Sequence, residues 1–159
     1  WLTLHPRTAK QGFTGTARWE YLSELKALVS LPVIASGDLF MAEDGVRCLA
    51  ETGVDTVMYA RGALRDPAIF KAHLDLLAGR EPEVADVATL LARIREHARL
   101  ARELSTEKVA LLKMRTIVPR YVRHIEGSKQ LRADIIACRS WDDFEKALRS
   151  FEAGKSSSE

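Results

Sequence analysis

The order of the secondary-structure signals constrains this chain more than any single motif does. Short apolar runs alternate with helical stretches up to about Phe70, and past Gly79-Arg80-Glu81-Pro82 the strand signals stop. Residues 2–5 read as a strand, and residues 19–29 place Trp19, Leu22 and Leu25, with Ala27 and Leu28, at helical spacing. Residues 31–35 are a short, continuously apolar run, the pattern of a parallel strand covered on both faces. Residues 41–52 read as a helix with Val46, Leu49 and Ala50 inward, and Gly53 stands where a helix C′ glycine belongs. Residues 54–59 form a third strand. Strand, helix, strand, helix, strand at this spacing is the βαβ signature of a parallel α/β sheet.

The second half is helical. Residues 84–104 carry one apolar stripe of Val87, Leu90, Leu91, Ile94, Ala98 and Ala101. Residues 107–124 follow, with Pro119 expected to kink or restart the helix, and then residues 128–138. A last helix opens at Ser140 as N-cap, with Asp142 and Asp143 in its first turn, and buries Trp141, Phe144, Leu148 and Phe151. Residues 153–159 read as a polar tail. The expected fold is thus α/β plus all-α, divided into residues 1–80 and 84–152, with no internal repeat.

At 159 residues and 47% hydrophobic, the chain has material for one core of ordinary size or two small ones. No apolar run approaches the roughly 18 residues that cross a bilayer, and no leader of the secretory type is visible. Cys48 and Cys138 are too few for a disulfide framework, which points to a reducing, cytoplasmic setting, and each reads as a packing residue. Trp1 opens what reads as a strand in progress, so the chain is expected to be a piece of something longer.

The formal charge of +2 hides an asymmetry. Residues 1–70 carry −1 and the remainder +3, and between positions 108 and 132 the surplus reaches +6. There Lys108, Lys113, Arg115, Arg120, Arg123, Lys129 and Arg132 oppose only Glu126. Such a cluster is either a solvated helix face or a track for a nucleic-acid backbone.

Three turns carry candidate chemistry, each at the C-terminal end of an expected strand. In His5-Pro6-Arg7-Thr8, His5 and Arg7 share a face of the strand and Pro6 ends the ladder. In Ala35-Ser36-Gly37-Asp38 the small residues allow close backbone approach to an anion. In Ala60-Arg61-Gly62-Ala63 a permanent cation sits between small residues, suited to phosphate. Taken singly, these are also a capping histidine beside a surface arginine, an ordinary βα turn and a structural loop. Taken together, two consecutive parallel strands with glycine-containing, anion-friendly loops match the phosphate grip after strands seven and eight of many (β/α)₈ barrels. In that frame the chain holds strands six to eight of a TIM barrel, followed by a helical bundle.

These residues resemble a known family. His5-Pro6-Arg7-Thr8, Gln11-Gly12-Phe13-Thr14-Gly15 and Trp19 are similar to the H-x-R-T…Q-x-(Y/F)-x-G…W pattern of the tRNA-dihydrouridine synthases. Pro32-Val33-Ile34-Ala35-Ser36-Gly37-Asp38-Leu39 resembles that family's P-V-I-x-N-G-D-I. The run from Gly53 to Leu64, then Pro67 and Ile69-Phe70, resembles G-x-D-G-V-M-I-G-R-G-A-L and its continuation. The helical remainder resembles the family's tRNA-binding bundle through Arg115 and Leu131-Arg132.

The resemblance implies a flavoenzyme that reduces the C5–C6 double bond of uracil in tRNA, with hydride from reduced FMN, NADPH as reductant and a cysteine as general acid. By position it implies His5 near the flavin ring or the uracil and Arg7 near the substrate. Ser36, Gly37, Asp38, Ala60 and Arg61 would hold the ribityl-phosphate end, and the basic helices the tRNA. Ser36 replaces the family's asparagine and Ala60 its glycine. The family's acid cysteine and its flavin-contacting lysine and glutamine belong to strands before the sixth, so neither Cys48 nor Cys138 inherits the proton-donor role. The isolated chain is accordingly expected to be inactive, and its open sheet is expected to make it marginally stable or self-associating. The competing readings are a non-catalytic RNA-binding fragment and a different FMN or sugar-phosphate barrel.

Overall fold

The computed structural model describes residues 1–156. The chain divides into two compact units, with the boundary between Glu83 and Val84.

In the first unit three parallel strands, β1 (Leu2–Leu4), β2 (Val33–Ser36) and β3 (Thr56–Met58), lie in the order β1-β2-β3. Leu2 pairs with Val33 and Leu4 with Ala35; Ile34 pairs with Thr56 and Ser36 with Met58. Helices α1 (Glu20–Leu28) and α2 (Ala42–Thr52) make the crossovers, and α3 (Arg61–Arg65) and α4 (Ile69–Leu77) follow β3. Period-two alternation sends Val33 and Ala35 to the helix-covered face, where both are fully buried with Leu22 and Cys48. The opposite face presents Thr3, Ile34 and Thr56 in one row, with Ser36 and Met58 in the next. Thr3, Thr56 and Met58 are exposed there and Ile34 is half-buried. Among the described residues nothing pairs with the outer edge of β1 or of β3.

Local chemistry fixes the joints. Asp55 accepts from the Val33 N–H at 2.7 Å and from Lys26 Nζ at 2.7 Å, tying α1 and the entry of β2 to the segment leading into β3. The Asp44 carboxylate accepts from the Phe40 and Met41 N–H groups at 2.9 and 3.0 Å, satisfying donors at the start of α2. Gly53 ends α2 in the left-handed region at φ +68°, its N–H bonded to the Leu49 carbonyl, as its position in the sequence requires.

The inward face of α2 differs from the periodicity reading. Ala42, Gly45, Cys48 and Thr52 are buried, Val46 and Leu49 are half-buried, and Ala50 is exposed. The reason is the close approach of Tyr59 and His73. A Cβ on Gly45 would stand 1.9 Å from Tyr59 Oη, so the helix turns its smallest residues to that contact. Tyr59 Oη donates to the Ala42 carbonyl at 3.2 Å and also meets His73 Nδ1 at 2.9 Å. Ala27 and Leu28 likewise fall outside the core, Leu28 at 82% exposure.

The second unit contains α5 (Val87–Glu103), α6 (Glu107–Tyr121), α7 (Lys129–Ala137) and α8 (Trp141–Ser156). Its core draws the whole expected α5 stripe together with Met114, Val118, Tyr121, Val122, Leu131, Ile135, Phe144 and Leu148. Helix α5 starts at Val87 instead of residue 84 because the Asp86 side chain accepts from the Thr89 N–H at 2.7 Å. Pro119 does not divide α6: the helix runs through it and stops two residues later. Ser140 caps α8 reciprocally with Asp143, whose N–H reaches Ser140 Oγ at 3.1 Å while its carboxylate takes the Ser140 N–H at 3.1 Å. The expected polar tail is helical from Ala153 to Ser156, and residues 157–159 lie outside the described residues. Arg95 holds α5 to α8 through Glu145 and Glu152, both at 3.1 Å. No helix among the described residues is long and apolar enough to cross a membrane.

Candidate functional site

The C-terminal ends of β1, β2 and β3 bring the three singled-out turns together. His5, Phe13, Ser36, Gly37, Asp38, Leu39, Phe40, Met58, Ala60 and Arg61 line one cleft of about 340 Å³. All six residues expected to hold a cofactor (His5, Ser36, Gly37, Asp38, Ala60 and Arg61) therefore share a wall, although they lie up to 56 positions apart in sequence.

The turn after β2 is the hub. Gly37 sits at φ +116°, and a Cβ there would meet Ala17 Cβ at 2.9 Å and His5 Cε1 at 3.3 Å. Only glycine combines that conformation with that approach. Asp38 follows at φ +55°, in the left-handed region that aspartate tolerates better than most residues. Its carboxylate accepts from Arg7 Nη2 at 2.7 Å on both oxygens, from the Ala17 N–H at 2.7 Å and from Arg61 Nη2 at 3.1 Å. Burial pushes the Asp38 carboxyl up, but the Ala17 N–H, Arg7 and Arg61 outweigh it and hold it below the ordinary aspartate value. The Trp19 indole N–H donates to the Gly37 carbonyl at 3.0 Å, fixing the turn from the side of α1.

Arg7 does not face the cleft as the family pattern implied. Its side chain is 2% exposed, its Nη2 serves Asp38 and the Gly15 carbonyl, and its Nε and Nη1 are buried without a partner. Pro6, itself buried, turns the chain so that Arg7 runs under the loop of residues 8–18. What Arg7 does in this chain is hold Asp38 and that loop. His5 is exposed, its Nδ1 3.4 Å from Oγ of the buried Ser36.

Arg61 reaches Asp38 while lying over the rings of Phe13 and Phe40, at 4.9 and 4.8 Å from their centroids. Arg65 lies over the same Phe40 ring at 4.7 Å. Sequence reading placed neither Phe40 nor Arg65 at the site. The signal was there in part, since Arg61 and Arg65 stand four apart on one helix, but the ring beneath them comes from the turn after β2. With Arg7 and Arg61 set against Asp38 alone, the cleft carries a positive charge and suits an anion. No group of acidic, histidine or cysteine side chains that could hold a metal ion occurs among the described residues.

Neither cysteine lines the cleft. Cys48 and Cys138 are free thiols buried in the two cores, and burial pushes both thiols up, away from the reactive thiolate.

The basic cluster of the second unit splits. Lys108, Lys113, Arg120, Arg123 and Lys129 are exposed and make no ion pair among the described residues. Lys113 and Arg120, seven apart on α6, share one side of that helix. Arg115 is half-buried, its Nε donating at 2.8 Å to the Ile136 carbonyl, one of the orphan acceptors at the end of α7. Arg132 is half-buried with its Nε enclosed and unpartnered.

Comparison with known proteins follows the same lines. The family model described as dihydrouridine synthase matches residues 1–156. A probable tRNA-dihydrouridine synthase 1 of Synechocystis is 34% identical over 140 residues, covering 87% of this chain and 39% of its own length. A probable tRNA-dihydrouridine synthase of Aquifex aeolicus is 31% identical over 147 residues, covering 92% and 45%. A rat protein named tRNA-dihydrouridine(16/17) synthase [NAD(P)(+)]-like is 38% identical over 99 residues, covering 60% and 21%. The chain thus spans less than half the length of these relatives. With the cleft motifs of the first unit and the helices of the second both inside the matched span, the chain belongs to the dihydrouridine synthase family.

Proposed function

We propose that this chain is the C-terminal part of an FMN-dependent tRNA-dihydrouridine synthase, which reduces the uracil C5–C6 double bond in tRNA, and that alone it is inactive. The observation that carries the reading is the cleft itself. A cleft with Ser36, Gly37 and Ala60 in its wall and Arg61 beside them, built on the C-terminal ends of parallel strands, is where a barrel enzyme of this kind takes a phosphate. In this reading β1, β2 and β3 are strands six to eight of a TIM barrel, the bare sheet face is its interior, and the open edges await strands not in this chain.

The residues present fit the phosphate end of FMN: Gly37 admits close backbone approach, Ser36 and Ala60 keep the wall low, and Arg61 supplies charge without blocking the cleft. When bound, reduced flavin supplies hydride to the uracil ring, and NADPH, in line with the NAD(P)(+) in the rat relative's name, would replenish it. His5 orients the ring end or the uracil, with Ser36 Oγ fixing its Nδ1. Arg7 acts through Asp38, keeping that carboxylate ionised so that it in turn aims Arg61. No residue here serves as the acid, because both cysteines are enclosed in the cores.

In the second unit Lys108, Lys113, Arg120, Arg123 and Lys129 contact the tRNA backbone. Arg115 and Arg132, partly enclosed, contribute there through the ends they leave exposed. The protein works in the cytoplasm, where its substrate is. The test is a longer form that includes the upstream cysteine, assayed for a bound isoalloxazine spectrum and for dihydrouridine in tRNA. Failure to bind FMN and to reduce tRNA uridines would remove the proposal. An RNA-only role would instead show as a salt-dependent tRNA shift with no flavin in any form of the protein.

A further inference from the structure

Helices α7 and α8 enclose a second cleft, of about 300 Å³, at the low end of the volumes that take small molecules. Its walls are apolar: Leu131 and Ala147 are buried and Phe151 is half-buried. Two glycines keep it open. A Cβ on Gly154 would meet nothing within 4 Å, and Gly127, at φ +74°, lines the cleft with no side chain, its Cβ position 3.7 Å from Lys155 Nζ.

The two helices supply opposite polar chemistry. On α7 Gln130 and Asp134 stand four apart, and Gln130 Nε2 donates to Asp134 Oδ1 at 2.8 Å. An ionised carboxylate only accepts, so this bond fixes which end of the amide meets it and leaves Asp134 Oδ2 without a donor among the described residues. On α8 the Lys155 Nζ lies 5.9 Å from the Phe151 ring centroid, with three hydrogens to give. Asp134 and Lys155 line the same cleft, yet neither makes an ion pair among the described residues.

An acceptor and a donor held apart select a ligand that donates on one side and accepts on the other, and apolar walls select a flat one. A phosphate fails the first condition, because Asp134 repels it. Among the four RNA bases only guanine presents two adjacent N–H donors, N1 and N2, on its Watson–Crick edge, and its neighbouring O6 and N7 both accept. Adenine and cytosine turn a lone pair toward a carboxylate at that edge, and uracil offers it a single donor.

We infer that the α7–α8 cleft is a guanine site, in which Asp134 accepts from N1 and N2, Lys155 donates to O6 or N7, and Leu131 and Phe151 cover the ring. The cleft lies wholly in the second unit and needs no flavin. A free nucleotide and an unpaired guanosine in RNA share this base chemistry.

Residue-resolved NMR titration of the full chain with guanosine 5′-monophosphate and adenosine 5′-monophosphate tests it, since both carry the same phosphate. The guanine nucleotide is expected to shift the amides of Gly127, Leu131 and Ala147 and to bind there about tenfold more tightly than the adenine nucleotide. Inosine 5′-monophosphate, which lacks the N2 group, should fall between them. Asp134→Asn, which keeps the shape, should erase the preference, and Lys155→Ala should weaken the guanine nucleotide about three- to tenfold. Unchanged amide shifts away from α7 and α8 will show that each variant is folded. Equal binding of the guanine and adenine nucleotides, shifts confined to the first unit, or a guanine preference that survives Asp134→Asn would overturn the inference. The RNA pentamers UUGUU and UUAUU separate the sources: tighter binding of UUGUU than of the free guanine nucleotide assigns the site to RNA, and the reverse assigns it to the nucleotide. A longer form that binds no FMN would remove the flavin reading and leave this site standing.

Discussion

Asp38→Asn is the sharpest single perturbation of the first unit, because it removes a charge and, with its oxygen kept on the Ala17 N–H, turns the other acceptor into a donor facing Arg7 and Arg61. Asparagine keeps the shape, tolerates the φ of +55° and still offers an oxygen to the Ala17 N–H. The charge lost is the counterion of Arg61 and, above all, of Arg7, a guanidinium whose side chain is 2% exposed and whose Nε and Nη1 already lack acceptors. Leaving such a cation unpaired costs about 3–5 kcal/mol in a fully buried setting. Asp38 retains 21% exposure, so the lower end, about 3 kcal/mol, is expected.

Hydrogen exchange on the full chain measures this unit by unit. Opening free energies of the slowest amides in β1, β2 and α2 should fall by that amount, while those in α5 to α8 stay unchanged. The pH dependence gives an independent check. The folded pKa of Asp38 is depressed, so its stabilisation is present above the unfolded value of about 3.9 and is lost as pH falls through the folded value. Asp38→Asn should flatten that part of the acid limb. A loss below about 1 kcal/mol, or an equal loss in the second unit, would refute the view that Asp38 exists to hold Arg7.

Gly45→Ala should destabilise the first unit by about 1–3 kcal/mol, despite a helix-propensity gain near 1 kcal/mol, since its Cβ would stand 1.9 Å from Tyr59 Oη. Adding Tyr59→Phe, which deletes that oxygen, should recover part of the loss in the same denaturation assay. Arg115→Ala should cost the second unit about 0.5–1.5 kcal/mol by freeing the Ile136 carbonyl at the end of α7, read by urea unfolding. Lys113→Ala and Arg120→Ala, both exposed, should leave stability within about 0.5 kcal/mol and each lower the salt slope of tRNA binding by about 1. Sedimentation across a concentration series should show self-association through the unpaired edges of β1 and β3; a strict monomer with a sharp, concentration-independent melt would contradict this.

The parallel sheet was legible in the sequence because its signals are local: short apolar runs, a C′ glycine and crossovers of the right length. The α5 stripe was legible for the same reason, and every one of its six residues joins the core. The inward face of α2 was not. Ala50 and Gly45 look alike to a periodicity count, and what separates them is a tyrosine fourteen positions after the glycine, pressed against the helix from β3. The start of α5 moved for a local reason that the sequence did hold, an aspartate three residues before a threonine N–H, hidden by the apolar Val84 ahead of it.

Arginines expose the limit most clearly. Written out, Arg7, Arg61, Arg65, Arg115 and Arg120 are five equal cations, and a charge count treats them so. The fold gives them different work by what it places beside each. Asp38 and the loop bury Arg7; two aromatic rings hold Arg61 at the cleft; Phe40 holds Arg65 beside it; a helix end takes Arg115; nothing among the described residues takes Arg120. An arginine already committed to a buried carboxylate or a helix carbonyl has little left to give a ligand, because rebinding must first break what it holds. In the first unit Arg61 stands between these cases, paired with Asp38 at 3.1 Å yet stacked on two rings in the cleft wall, whereas Arg65 lies on the Phe40 ring with no ion pair among the described residues.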